Sequence, residues 1–258
     1  MSSLAVIAGT GARRIFQDLE PSGEAESPYG RVQIYTSDDL DPHVPIVLRH
    51  GFEHRTPPHL VNYRAIVAGL WGMGVERILA LGAVGSLRSS LRPGDMVIPD
   101  QVLDLTRQRV QTFVEELGAS GQHIDVTDPF CPELRKVALT SAAQLEIALH
   151  PRAVYVCVEG PRYETAAEIR MFKMLGGDLV GMTCAPEVFL AREKGMCYMH
   201  ISLVTNMAAG IQPTRIIHRD LERVVADVAV NARRLLRRVI ENESSTGRNC
   251  SCGQAAEH

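Results

Sequence analysis

Leu4-Ala5-Val6-Ile7-Ala8 runs apolar without a break and stops at Gly9-Thr10-Gly11. A short apolar run that ends in glycine reads as a buried strand entering a tight turn. The pattern recurs along the chain. Residues 44–48 end at Arg49-His50-Gly51, residues 77–84 at Gly85-Ser86, and residues 154–158 at Glu159-Gly160-Pro161-Arg162. Residues 179–182 and 199–205 read as further strands, and 95–105 as strand-like with Pro99 interrupting it. Between them, residues 62–73, 132–149, 165–175, 186–194 and 215–241 carry helical patterns, and Trp71 is expected to pack. Residues 106–130 are polar and irregular and read as a loop laid over something. Strand and helix alternate, which predicts an α/β domain with a central, mostly parallel or mixed sheet covered by helices.

Composition narrows the function. The 258 residues suit one large domain, residues 1–243, and 45% hydrophobic content can build a sizeable core. Residues 244–258 are rich in Ser, Gly and Asn and read as a flexible tail. A formal net charge of −3 argues against a nucleic-acid partner. No apolar run reaches membrane-spanning length, and Met1-Ser2-Ser3-Leu4 lacks the features of a signal peptide, so a cytoplasmic location is the expectation. Cys131, Cys157, Cys184 and Cys197 lie in apolar segments and read as buried free thiols. Cys250-Ser251-Cys252 reads as a redox or disulfide clip, a weak metal site or an inert tail. With no His or Cys partner at metal spacing, no metal is expected.

In sheets of this kind ligands bind beyond the carboxyl ends of the strands, and Thr10, Arg49, His50, Thr183 and Asn206 each follow an apolar run. Gly9-Thr10-Gly11 can present backbone N–H groups and a hydroxyl to an anion, although it is not a dinucleotide fingerprint. Arg49 adds a planar fork suited to phosphate, His50 a donor and Thr183 a hydroxyl. Each also has a plainer role: a turn at Gly9, a surface ion pair for Arg49, a helix N-cap for Thr183.

Tyr163-Glu164-Thr165 and Val204-Thr205-Asn206 can hold a purine. Tyr163 offers an aromatic face. The Glu164 carboxylate suits the N1–H edge of a 6-oxopurine, and the Asn206 carboxamide can serve N7 and the 6-oxygen together. The alternative for Glu164 is a cap on the helix that starts near Thr165.

The chain resembles the trimeric nucleoside phosphorylases, the family that holds purine nucleoside phosphorylase and methylthioadenosine phosphorylase. The resemblance rests on Gly9-Thr10-Gly11, Arg49-His50-Gly51 with His54, Val61-Asn62-Tyr63-Arg64-Ala65, Gly82-Ala83-Val84-Gly85-Ser86 and Pro93-Gly94-Asp95. It continues through Asp128-Pro129-Phe130-Cys131-Pro132, Glu159-Gly160-Pro161-Arg162 and Gly181-Met182-Thr183 with Pro186-Glu187, and so spans roughly residues 4 to 240. It implies phosphorolysis: phosphate attacks the anomeric carbon of a purine nucleoside and releases the free base. It implies phosphate contacts from Thr10, Arg49, His50, the Ala83 backbone and Thr183, with Met182 against the ribose. Asn206 and His50 are the expected catalytic residues. No cofactor or metal is implied, and phosphate is a co-substrate. Gly82 departs from the Thr of methylthioadenosine phosphorylases, which removes one hydroxyl.

The adenine-preferring members resemble one another in having Ser where this chain has Glu164, and Asp-x-Asp where it has Asn206-Met207-Ala208. This chain looks like the hypoxanthine and guanine enzymes instead. The family meets the 5′ substituent near the start of the last helix, where Leu221, Val224 and Val225 form an apolar face and His218 lies one turn earlier. An apolar face fits a 5′-methylthio group, whereas His218 would reach a 5′-hydroxyl; a helix also needs a core-facing stripe. His123 matches a position that the family supplies from a neighbouring subunit, which implies a homotrimer, with a hexamer left open. The overall pattern is most similar to the methylthioinosine phosphorylases. The expected function is therefore phosphorolysis of 6-oxopurine nucleosides, methylthioinosine first. Inosine or guanosine phosphorolysis, methylthioadenosine phosphorolysis and a non-catalytic nucleoside-binding module are the competing readings.

Overall fold

A ten-residue strand, β5 (Arg77–Ser86), is the axis of the structure. The computed structural model describes residues 3–114, 123–212, 218–243 and 248–256. In chain order the elements before the axis are β1 (Leu4–Ala8), α1 (Ala12–Ile15), β2 (Glu20–Ser27), β3 (Gly30–Thr36), β4 (Ile46–Leu48) and α2 (Tyr63–Gly72). After it come β6 (Met96–Val97), β7 (Gln101–Asp104), α3 (Pro132–Gln144), β8 (Leu149–His150), β9 (Val154–Cys157), α4 (Ala166–Met174) and β10 (Leu179–Gly181). The chain closes with α5 (Cys184–Glu193), β11 (Cys197–Met207) and α6 (His218–Glu243).

Among the described residues these strands form one mixed sheet, ordered β2-β3-β4-β1-β5-β10-β9-β7, with β11 running parallel along β5 and carrying β6 and β8. The first half of β5, up to Leu81, pairs in parallel with β1, whereas Gly85 and Ser86 pair antiparallel with β10. The change of neighbour opens a gap at Gly82–Val84, beyond the carboxyl end of β1. A crevice where strand order changes is where an α/β sheet takes a ligand.

Strand side chains alternate between faces, so an apolar run with both faces covered feeds two cores. Leu4, Val6 and Ala8 join Leu79, Leu81 and Ile201 under α6 and α3, and Ala5 and Ile7 join Ile78, Ala80 and Tyr198 under α2 and α5. A third cluster joins Leu87 and Val156 to Ile169 and Phe172 of α4. In α6, Leu221, Val225, Val228, Ala232, Leu235 and Val239 recur at helical spacing and are buried. No helix among the described residues is long and apolar enough to cross a membrane.

The mixed sheet covered by helices is the expected architecture, and four local readings are corrected. First, β2 and β3 were not expected. Glu-Pro-Ser-Gly-Glu-Ala-Glu-Ser is almost wholly polar, and of β2 only Ala25 is buried; the hairpin with β3 supplies the order. Second, α3 ends at Gln144, because Glu146 takes a left-handed φ of 56° and the chain turns to lay Leu149 beside Met96. Third, Trp71 does not pack into the core. It is 52% exposed on α2, one position past buried Leu70, with the Lys194 ammonium 4.8 Å from its ring centroid. Fourth, the segment expected to be a loose tail is held where it is described. Arg248 donates to the Gly195 carbonyl, a 3-10 turn spans Ser251–Ala256, and Cys252 is buried in the α6 core. The partners that Cys250 and Cys252 lack in sequence are supplied by the fold: Cys131 and Cys197 arrive beside them.

Candidate active site

The gap at Gly82–Val84 opens into a cavity of about 400 Å³. Thr10, Arg49, His50, His54, Ala83, Tyr163, Glu164, Met182, Thr183, Asn206 and Leu221, all expected site residues, line it. A second cavity, about 440 Å³, adjoins it and shares Thr10, His50 and His54; Gly11 and Val225 border that lobe.

The Arg49 end of the cavity is built from the ends of β1, β4 and β5 and the start of α5. Gly11 has φ of 87° and caps α1, and a Cβ there would sit 2.2 Å from Val225 Cγ1, so both conformation and space require glycine. Gly9 leaves room for Arg49, since a Cβ there would lie 2.6 Å from Nη1. Arg49 is not a surface ion pair. It is fully buried and donates from Nε and Nη2 to Glu187 at 2.7 Å each, and from Nη1 to the Leu81 carbonyl at 2.9 Å. Three of the five guanidinium hydrogens are thereby used, which leaves two for an anion. Tyr198 Oη donates to Glu187 at 2.8 Å, and this hydrogen bond, with the ion pair, compensates the buried carboxylate. In the sequence, Glu187 stands out only as part of the Pro186-Glu187 motif. The signal was there: an arginine buried at a strand end needs a carboxylate, and Glu187 lies among apolar residues of α5.

Thr183 stands at the N-cap position of α5 but makes no side-chain cap bond, so its buried hydroxyl is left for the cavity. Thr10 Oγ1 lies 3.1 Å from His54 Nε2. His50 departs from its expected role as a donor. Its Nδ1 lies 2.8 Å from the Thr56 carbonyl, which only accepts, so Nδ1 carries the hydrogen and Nε2 is an acceptor. Burial, and then the Arg49 charge, push its pKa down to about 3, so the ring is neutral at physiological pH.

Gly82 is paired with a residue that sequence reading missed. A Cβ on Gly82 would lie 3.0 Å from His200 Nε2, so the imidazole fills the space beside the strand. His200 is fully buried, its Nδ1 lies 2.9 Å from Ser202 Oγ, and Nε2 has no hydrogen-bond partner. Burial, with a smaller contribution from Arg49, lowers its pKa to about 3.

The Glu164 and Asn206 end comes from the α4 entry and the end of β11. Register between β11 and β5 shifts between Val204 and Asn206, a bulge at Thr205 of the kind that re-aims a side chain beside a site. The one Thr205 hydroxyl hydrogen is shared between Asn206 Oδ1 at 3.0 Å and the Val84 carbonyl at 3.2 Å, and Asn206 Nδ2 donates to the Met207 carbonyl at 2.9 Å, which sets the carboxamide's orientation. Glu164 is 9% exposed, and burial raises its pKa above the usual carboxylate range. It does not cap α4: Thr165 and Glu168 form that capping box. Tyr163 is 39% exposed, at the mouth.

Met207, Ala208 and Val224 do not line either cavity. Ala208 packs in the α4 cluster because the strand beyond the bulge turns that side chain inward, and Val225 rather than Val224 faces the second lobe. His123 is exposed and outside the cavity of its own chain. The His218 side chain lies outside the described residues.

Residues 3–241 match the Phosphorylase superfamily. The chain is 43% identical to a 6-oxopurine nucleoside phosphorylase of Pyrococcus furiosus over 86% of its length and 85% of that protein's. It is 44% identical to a probable S-methyl-5′-thioinosine phosphorylase of Methanopyrus kandleri, over 100% of this chain and 98% of the relative. Among solved structures, methylthioadenosine phosphorylase from Schistosoma mansoni in complex with adenine superposes with a TM-score of 0.86 at 28% identity, covering 95% of this chain and 92% of that one.

Proposed function

Because this chain belongs to the phosphorylase superfamily, we propose that it is a purine nucleoside phosphorylase that cleaves 6-oxopurine nucleosides, with S-methyl-5′-thioinosine preferred. One observation carries the choice of base: Glu164 and Asn206 line the same cavity as Arg49, His50 and Thr183. An acceptor for N1–H and a carboxamide for N7 and the 6-oxygen stand at one end, and an anion site at the other.

Phosphate is taken by the two remaining Arg49 hydrogens, the hydroxyls of Thr10 and Thr183 and the Ala83 backbone. His50 Nε2 accepts the hydrogen of a protonated phosphate oxygen. The C1′–N9 bond breaks with its electron pair going to the purine, and a phosphate oxygen lone pair forms the new bond to C1′. Positive charge grows on the sugar and negative charge on the base, as in other glycosidic cleavages. The dianion offsets the first. The second Asn206 N–H stabilises the second by donating to N7, where part of the departing base's negative charge gathers. Phosphate is itself the nucleophile, so the step calls on no organic cofactor and no metal in the cavity. Leu221, buried at the cavity wall, supports a methylthio group at the 5′ position. A cytoplasmic homotrimer in which a neighbour lends His123 completes the proposal.

The test is base release from methylthioinosine, inosine, guanosine and methylthioadenosine, each with and without phosphate. Phosphate-dependent release led by methylthioinosine is expected, and Asn206→Asp should move preference toward 6-aminopurines. Inosine or guanosine leading would overturn the 5′ assignment and keep the base site. Methylthioadenosine leading would overturn the base site as well, and release without phosphate would overturn phosphorolysis.

A further inference from the structure

Four cysteines from three separate stretches of the sequence converge on one spot in the fold. Cys131 is the N-cap of α3, Cys197 opens β11, and Cys250 and Cys252 flank the start of the last 3-10 turn. Their sulfurs all lie within 4.8 Å of one another, with Cys197 and Cys250 3.2 Å apart. Four ligands around Zn²⁺ at about 2.3 Å place neighbouring sulfurs about 3.8 Å apart, inside this range. We propose that Cys131, Cys197, Cys250 and Cys252 form a closed, structural tetrathiolate site for Zn²⁺.

Three features of the surroundings favour a metal over two separate disulfides. The contacts are shared rather than paired: Cys131 hydrogen-bonds both Cys197 and Cys252, while Cys197 also meets Cys250. The Leu134 backbone N–H points at Cys131 Sγ from 3.5 Å, an N–H···S contact at a helix N-terminus that suits a thiolate. Two cations also face the cluster. Arg248 hydrogen-bonds Cys250, and Arg192 is buried within electrostatic range of Cys252, its Nε and Nη1 without hydrogen-bond partners. Four thiolates and one Zn²⁺ carry a net charge of −2, which the two guanidinium groups neutralise. Neutral thiols would leave the buried Arg192 cation, with Nε and Nη1 unpartnered, without that compensation from the cluster.

The site ties the C-terminal segment to the base of α3 and β11. It sits one residue from Tyr198, which holds Glu187 and through it Arg49. Its role is to staple the chain end, because all four ligands are protein thiolates and no open position remains for substrate.

Untagged full-length protein, produced in zinc-supplemented medium and desalted, should hold about one equivalent of zinc by elemental analysis. Exchange with Co²⁺ should give the sulfur-to-cobalt charge-transfer band and intense visible bands of a tetrahedral thiolate site. Cys250→Ser with Cys252→Ser should cut zinc below about a tenth of an equivalent, whereas the cobalt spectrum of the unaltered chain does not depend on that variant folding well. Zinc below about a tenth of an equivalent in the unaltered protein would overturn the site. Intact mass would then say what replaces it: a loss of two or four hydrogens means disulfides, and an unreduced mass with all six thiols reactive means a bare cluster.

Discussion

At Glu164 the proposed recognition of the base and the acidity of one side chain are coupled. Burial raises its pKa, so its ionised form opposes folding above that pKa and ceases to oppose it below. The proposed contact with purine N1–H needs the ionised form. Acidification should therefore weaken 6-oxopurine binding while slightly favouring the fold. The kcat/KM profile should show an acid limb above the ordinary carboxylate range. Glu164→Gln should abolish that limb and lower kcat/KM for methylthioinosine about tenfold to a hundredfold, the equivalent of losing roughly 1.5–3 kcal/mol. A limb that survives the substitution would assign it to another group. His50 and His200 contribute no limb near neutrality, since both are held neutral with pKa values of about 3. At this scale the sequence named most of the lining, because polar residues after apolar strands must face the crevice. It missed Glu187, which holds Arg49 from a buried helix position, and His200, which lies inside a strand beside Gly82. It also gave His50 the wrong polarity, because the Thr56 carbonyl that sets its tautomer is a backbone group no motif displays.

The elements place these residues by ordinary local devices. Asn62 caps α2 by accepting from the Ala65 N–H, and Thr165 and Glu168 close a capping box on α4 directly after Glu164. Thr165→Ala should cost about 1 kcal/mol of unfolding free energy, read from denaturant titration, and leave the phosphate KM unchanged. A shift in phosphate KM would show that the cap also sets the far end of the cavity. Helix boundaries were legible wherever a cap or an apolar stripe marked them, as at Asn62 and Thr165. The end of α3 was not, since apolar Ile147 and Leu149 continue the periodicity past the point where Glu146 reverses the chain. The polar β2 was invisible for the opposite reason: its order comes from pairing with β3, not from its own residues.

Across the whole molecule, the proposed trimer makes the site larger than one chain. Sedimentation should give about three times 28.3 kDa, and His123→Ala should raise the nucleoside KM while leaving the trimer intact. A fully active 28.3 kDa monomer would remove the shared-site proposal. The sequence by itself determined the α/β class, the family and most residues that line the cavity, because apolar periodicity and short motifs are local and survive being read in one dimension. Only the tertiary structure decided that Arg49 is spoken for by Glu187, 138 residues away, that His200 fills the space left by Gly82, and that Cys131 and Cys197 meet Cys250 and Cys252. Those pairings have no sequence period. They exist because buried charges and polar groups must find partners wherever packing brings the chain together.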